Sequence, residues 1–205
     1  MKRGIALLLA LLMLLSFTGC AANRVNNAPP PEQQGPYTVT DMVGRTVEIE
    51  KGSYERVVCI GAGALRLYSY VGDMSLLCGV EDIDNTALEN RPMMFDSVAR
   101  PYVMANEALL QSLPSCGVGG PMAQTAEAEK ILSCNPDIVI SEFEDVEKAD
   151  ALQAQLGVPV ITLSTGSKGV FDDAFYDSMA LLGQIFGQEE KAAALAAFVK
   201  DEAAE

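Results

Sequence analysis

From residue 56 to the end of the chain, short apolar runs alternate with helical stretches, and this alternation restricts the fold more than any other feature. Val57-Val58-Cys59-Ile60 reads as a buried strand, closed by Gly61-Ala62-Gly63 and followed by a helical stretch from Ala64 to Val71. Leu76 to Val80 returns as a strand, and Cys116-Gly117-Val118 is another, leading into Gly119-Gly120-Pro121. Thr125 is placed to cap a helix through Leu132, Ile138-Val139-Ile140 is again a buried strand, Val146 to Leu156 is helical, and Val158 to Leu163 is a strand. Strands separated by helices pair in parallel through right-handed crossovers. The expected fold is therefore α/β, a single lobe with a Rossmann-like parallel sheet flanked by helices. Upstream, Tyr37–Thr40 and Arg45–Ile49 alternate around Asp41-Met42-Val43-Gly44, which predicts a small N-terminal β-hairpin. Downstream, apolar residues recur at helical spacing from Phe171 to Phe186, Gly187 stops that helix, and an alanine-rich helix begins at Gln188. Residues 81–113 are the least periodic.

Residues 1–36 follow a different logic. Lys2 and Arg3 precede an apolar run from Ile5 to Leu15, and Ser16-Phe17-Thr18-Gly19 sets small residues before Cys20. This is the pattern of a bacterial secretory signal with a lipobox. The apolar run falls well short of the ~20 residues that a membrane span needs. Residues 1–19 are thus read as a lipoprotein signal peptide and Cys20 as the lipidation site. One acyl chain holds only marginally, whereas the several that a lipidated cysteine carries give stable attachment. Residues 20–36, polar and with Pro29-Pro30-Pro31, read as a flexible tether. The expected location is the extracytoplasmic face of the cell membrane, lipid-anchored.

Composition narrows the function. The chain has 14 basic and 28 acidic residues. Loss of Lys2 and Arg3 with the signal leaves 12 against 28, a net charge of −16, which repels nucleic acid and anionic headgroups. There is no histidine. That removes Ser-His-Asp and Cys-His nucleophile systems and the commonest zinc ligand, so the protein is not expected to be an enzyme or to hold a bare metal. Besides Cys20 there are Cys59, Cys78, Cys116 and Cys134, which either pair outside the cytoplasm or serve as buried free thiols. Met93, Met94, Met104 and Met122 are expected to be packing residues rather than metal ligands.

Gly61-Ala62-Gly63-Ala64-Leu65-Arg66 follows a strand and opens a helix, and Glu81-Asp82 follows the next strand, which nearly spells a dinucleotide fingerprint. Arg66 replaces the third glycine. An exported nucleotide-dependent enzyme is therefore an alternative reading, and a structural lipoprotein without ligand is another. The preferred reading of the turn is a helix start facing a ligand outside the strand ends.

Four segments carry a more specific resemblance. They are Asp41-Met42-Val43-Gly44-Arg45-Thr46-Val47; Arg56-Val57-Val58 leading into Gly61-Ala62-Gly63; Val71-Gly72-Asp73 followed by Cys78-Gly79-Val80; and the twelve residues from Glu129 to Ile140, with Asn135-Pro136-Asp137 as a breaker before the strand. In order and spacing the chain resembles the N-terminal lobe of substrate-binding lipoproteins of ABC importers, in the iron-siderophore, haem and cobalamin class. The resemblance implies capture of a metal chelate and its delivery to a membrane permease, with no intrinsic cofactor. It implies an N-terminal substrate-binding lobe at 37–187 and the start of an interlobe helix at 188–205, with the second lobe missing. One lobe alone is then expected to bind weakly or not at all. Ligand contacts in this class come from loops at the strand ends, which map onto Gly63, Ala64, Leu65, Arg66, Arg100, Tyr102, Gly119, Gly120, Glu142 and Phe143. Arg66 and Arg100 either meet an anionic ligand or pair with neighbouring acids. Tyr102 and Phe143 either stack on a chelate or belong to the core. By the same resemblance Glu129 is the permease-docking residue, with Glu127 its rival.

Overall fold

The computed structural model describes residues 37–61, 63–120, 125–142 and 145–204. The expected signal peptide, the expected lipidation site Cys20, the expected tether to residue 36, and Ala62, Pro121, Met122 and Phe143 lie outside the described residues.

The hairpin is present: β1 (Tyr37–Thr40) pairs antiparallel with β2 (Thr46–Ile49). It leads to a five-stranded sheet built from β3 (Val57–Ile60), β4 (Leu77–Glu81), β5 (Ser115–Gly117), β6 (Ile138–Ser141) and β7 (Val160–Thr162). The strand order is β5-β4-β3-β6-β7, and every neighbouring pair is parallel. The connecting helices are α1 (Ala64–Val71), α2 (Pro101–Ala105), α3 (Glu107–Ser112), α4 (Ala128–Ser133) and α5 (Val146–Leu156), followed by α6 (Asp173–Phe186) and α7 (Glu189–Ala203). The order of connection reverses beside β3, because β4 and β5 extend the sheet one way and β6 and β7 the other. That reversal opens a crevice outside the carboxyl ends of the strands.

Strand alternation assigns each side chain to one of two cores. Val57, Cys59, Ile138 and Ile140 pack with α1, α6 and the hairpin. Val58, Ile60 and Val139 face the other way, against Ile131 of α4 and Leu152 and Leu156 of α5. Both faces of the central strands are covered, which is why they read as unbroken apolar runs. Cys59, Cys78, Cys116 and Cys134 are buried free thiols. Burial pushes the Cys78 thiol up to about 11, and all four side chains pack in the two cores as small apolar groups.

A buried ion pair fastens the hairpin to the sheet. Arg45 Nε donates to Asp41 Oδ2 at 2.9 Å, and both side chains are nearly inaccessible. The remaining guanidinium nitrogens reach Asp150 Oδ1 at 3.1 Å and the Val160 carbonyl. Asp41 also accepts from the Arg45 N–H at 2.9 Å and from the Thr162 N–H at 3.3 Å, and the Met42 N–H donates to the Thr162 carbonyl at 2.9 Å. A second lock explains the Asn135-Pro136-Asp137 breaker. Asp137 accepts from the N–H groups of Glu55 and Arg56, and Arg56 Nε donates to the Asn135 carbonyl at 2.6 Å. These contacts tie the end of α4 to the start of β3 just before β6 begins.

Several expectations need correction. Thr125 does not cap α4, which starts at Ala128 after Glu127 and has no side-chain cap. β7 is shorter than the Val158–Leu163 run because Pro159 has no N–H to donate to a ladder. Phe171 is 69% exposed and precedes α6, whose cap is Asp172 accepting from the Ala174 N–H. Met93, Met94 and Met104 are exposed rather than packed. The aperiodic segment resolves into turns and the two short helices α2 and α3.

Candidate ligand cleft

A cleft of about 420 Å³ lies at the carboxyl ends of β3 and β4, and its size falls within the range of small-molecule sites. Its walls come from the turn after β3 (Gly61, Gly63), the exposed side of α1 (Arg66, Tyr70), the end of β4 (Glu81, Ile83, Asp84), the segment from Phe95 to Tyr102, and Gly120.

Position 63 in the turn after β3 calls for glycine. Gly63 has φ +102, and a Cβ there would fall 2.5 Å from Glu142 Oε2. Glu142 follows β6, its N–H bonds the Ile60 carbonyl at 3.1 Å, and its Oε1 accepts from Thr165 Oγ1 at 2.7 Å. The ends of β3 and β6 and the loop after β7 are thus joined beneath the turn. Ala64 and Leu65 are a correction. Their side chains turn into the core at 0% and 6% exposure and do not line the cleft.

The two candidate arginines take different roles. Arg100 Nη1 bonds both Asp84 Oδ1 at 2.5 Å and the Ile83 carbonyl at 3.0 Å, and Tyr102 donates to the same Asp84 oxygen at 3.1 Å. Arg100 and Tyr102 therefore converge on a protein carboxylate, whose proton affinity burial raises despite the facing guanidinium. Arg66 has no carboxylate partner among the described residues, and its Nε is buried without a hydrogen bond. Tyr70 stands one helical turn further along α1, on the same face. Opposite them Phe95 and Val98 add exposed apolar surface. Arg91 holds that segment in place by a bidentate pair with Asp96 at 2.7 and 2.8 Å. Sequence reasoning missed Tyr70, whose i+4 spacing from Arg66 was available, and missed Asp84, Phe95 and Val98, which lie in the aperiodic segment. Glu81 was read only as a dinucleotide acid.

In the structure Glu81 argues against that alternative. Its Oε1 accepts from the Gly61 N–H at 3.1 Å, so the first amide of the glycine turn is occupied by a carboxylate that would repel a phosphate. Gly119 packs on Glu81, and Gly120 reaches the cleft wall. A second hollow, of about 490 Å³, lies near the amino ends of β3 and β4, where Lys191 Nζ donates to the Val71 carbonyl at 2.9 Å.

Glu127 and Glu129 separate as clearly. Glu127 accepts from the Val118 N–H at 2.7 Å and pairs with Lys130 at 2.8 Å, so it is committed to holding the loop before α4. Glu129, in the first turn of α4, is exposed and makes no such bond among the described residues. Among the described residues no helix is long and apolar enough to cross a membrane.

Fold and cleft together describe an α/β lobe with a crevice outside the carboxyl ends of a parallel sheet. Residues 98–205 match the family model described as periplasmic binding protein, and the chain belongs to that family. The fold is similar to that of a periplasmic solute binding protein from Veillonella parvula (TM-score 0.58, 22% identity, covering 83% of this chain and 46% of that one). It is also similar to the molybdate periplasmic binding protein MolA of Haemophilus influenzae (0.57, 17%, 78% and 49%). A third similar structure is the petrobactin-binding protein YclQ of Bacillus subtilis (0.54, 18%, 83% and 49%). The chain spans about half the length of each. A sequence search among curated proteins finds no significant match.

Proposed function

We propose that this chain is the extracytoplasmic solute-binding component of an ABC importer, tethered to the membrane through lipidated Cys20 and delivering a metal chelate to a permease. The observation that carries the reading is Arg66, whose guanidinium has no carboxylate partner among the described residues, at an aromatic-rimmed cleft outside the strand ends of a periplasmic binding protein lobe. An anionic chelate such as a ferric siderophore, or haem with its propionates, offers Arg66 a carboxylate, and it offers Tyr70 and Phe95 a flat or apolar body. A corrinoid is the third member of the class. The described lobe is one wall of the site, and a facing lobe would complete the enclosure that gives such ligands their affinity. The protein performs no chemistry on its cargo in this reading.

Arg66→Ala is expected to weaken binding of the cognate chelate by roughly 10- to 100-fold, the worth of one hydrogen-bonded charge. Native mass spectrometry against ferric siderophores, haem and corrinoids measures this. Equal retention by wild type and variant would contradict the role of Arg66, and retention of a nucleotide in place of any chelate would contradict the reading. Glu129 is the proposed permease contact, since Glu127 is already engaged within the chain. Glu129→Ala is expected to lower affinity for permease-containing membranes at least several-fold with chelate binding intact. Unchanged docking would remove Glu129 from the interface.

A further inference from the structure

Glu81 sits at the end of β4 between two turns that border the cleft. On one side its Oε1 accepts from the Gly61 N–H at 3.1 Å. On the other it abuts Gly119, where φ is +73 and a Cβ would fall 2.6 Å from Glu81 Cβ and 2.7 Å from Oε2. The loop after β5 can close on Glu81 this tightly only because position 119 has no side chain. Glu81 is 8% exposed, and the exposed part faces the cleft.

We propose that Glu81 is a positioning residue of the cleft: its carboxyl fastens the Gly61–Gly63 turn to the Gly119–Gly120 turn, and gain or loss of its proton resets the distance between them. The surroundings explain why a proton acts in opposite senses on the two turns. Asp82 and Asp84 on the following turn and Glu127 ahead of α4 are like charges around it. The thiols of Cys59 on β3 and Cys116 on β5 lie close by. Glu142 lies beyond the Gly61–Gly63 turn, and the cleft's cations are Arg66 on α1 and Arg100, the latter already paired with Asp84. Ionised Glu81 strengthens its bond to the Gly61 amide. It also repels Glu127, which holds the Val118 N–H and through it the start of the Gly119–Gly120 turn. Burial, with these like charges, pushes its carboxyl up to about 7, so the change falls where an extracytoplasmic protein meets it. The inference goes beyond the solute reading and holds for the ligand-free chain whatever fills the cleft.

The test is an NMR titration of the isotope-labelled, ligand-free chain from pH 4 to 9. The Glu81 carboxyl carbon and the Gly61 and Gly119 amides are expected to move with one common midpoint near 7. Glu81→Gln is expected to abolish the two glycine transitions. Asp84→Asn, a second variant in case the first does not fold, is expected to shift the common midpoint to lower pH by removing a neighbouring like charge. The proposal is overturned if Glu81 titrates in the ordinary glutamate range, or if either glycine stays still while Glu81 titrates. It is also overturned if the transitions survive in Glu81→Gln or if the midpoint ignores Asp84→Asn. Because no ligand is present, this result stands apart from success or failure of chelate binding.

Discussion

Asp41→Ala is expected to destabilise the folded lobe by about 3–5 kcal/mol, the cost of stranding a buried charge without its partner. The Asp41 side chain is fully inaccessible, and Arg45 is 5% exposed. Removing Asp41 leaves the Arg45 guanidinium with Asp150, which is 63% exposed and therefore weakly held and screened by solvent. Four backbone and side-chain donors that now meet Asp41, from Val43, Arg45 and Thr162, lose their acceptor as well. Urea denaturation with an unchanged slope measures the loss. The double variant Asp41→Ala/Arg45→Met supplies the control. It removes both charges together and is expected to recover most of the stability, because apolar replacement of a whole buried pair is close to neutral. A loss below about 1 kcal/mol in the single variant would show that the pair is not the lock between hairpin and sheet.

Glu81→Gln is expected to make the lobe more stable than wild type by about 3 kcal/mol above pH 7 and to leave it unchanged near pH 4. The folded-state value of about 7 lies above the ordinary 4.5, so the folded protein holds the proton more tightly than the unfolded chain does. The stability from that proton is fully present below pH 4.5, is lost as pH rises from 4.5 to about 7, and stays lost above it. At about 1.4 kcal/mol per tenfold change in proton affinity, this interval gives the stated magnitude. Glutamine keeps an acceptor for the Gly61 N–H and never ionises, so the variant escapes the loss. Thermal unfolding of both proteins across pH 4 to 9 reads the difference directly. Curves that separate at low pH and converge at high pH would contradict the sign of the argument.

Much of the fold was legible in the sequence because the sheet is buried on both faces. Val57-Val58-Cys59-Ile60 and Ile138-Val139-Ile140 are apolar throughout, and the glycines at 157 and 187, both with φ above +60°, mark where α5 and α6 stop. The motifs in order along the chain were legible too, and the structure shows that several are architectural. Asp41 and Arg45 lock the hairpin, while Arg56, Asn135 and Asp137 lock α4 to β3. The candidate site was legible only in part. Gly63, Arg66, Arg100, Tyr102 and Gly120 do meet at one cleft. What the sequence could not convey is which charges cancel. Arg66 and Arg100 look alike in one dimension, but Asp84, sixteen residues from Arg100, neutralises one and not the other. Ala64 and Leu65 were misplaced because the first turn of a helix divides its side chains between core and cleft, and a motif does not record the rotation. Phe95 and Val98 were invisible because a wall made of turns has no periodicity.

The most direct measurement is an amide-resolved NMR titration of the chain with diamagnetic chelates: gallium-loaded siderophores, zinc protoporphyrin and cyanocobalamin. It detects weak binding and locates it in one experiment. The account predicts that at least one chelate shifts Gly61, Gly63, Tyr70, Gly120 and the Arg66 side-chain Nε together, and that Arg66→Ala suppresses those shifts. Chelates that bind only elsewhere on the lobe, or whose shifts at these resonances survive Arg66→Ala unchanged, would contradict the assignment of the cleft as the solute site.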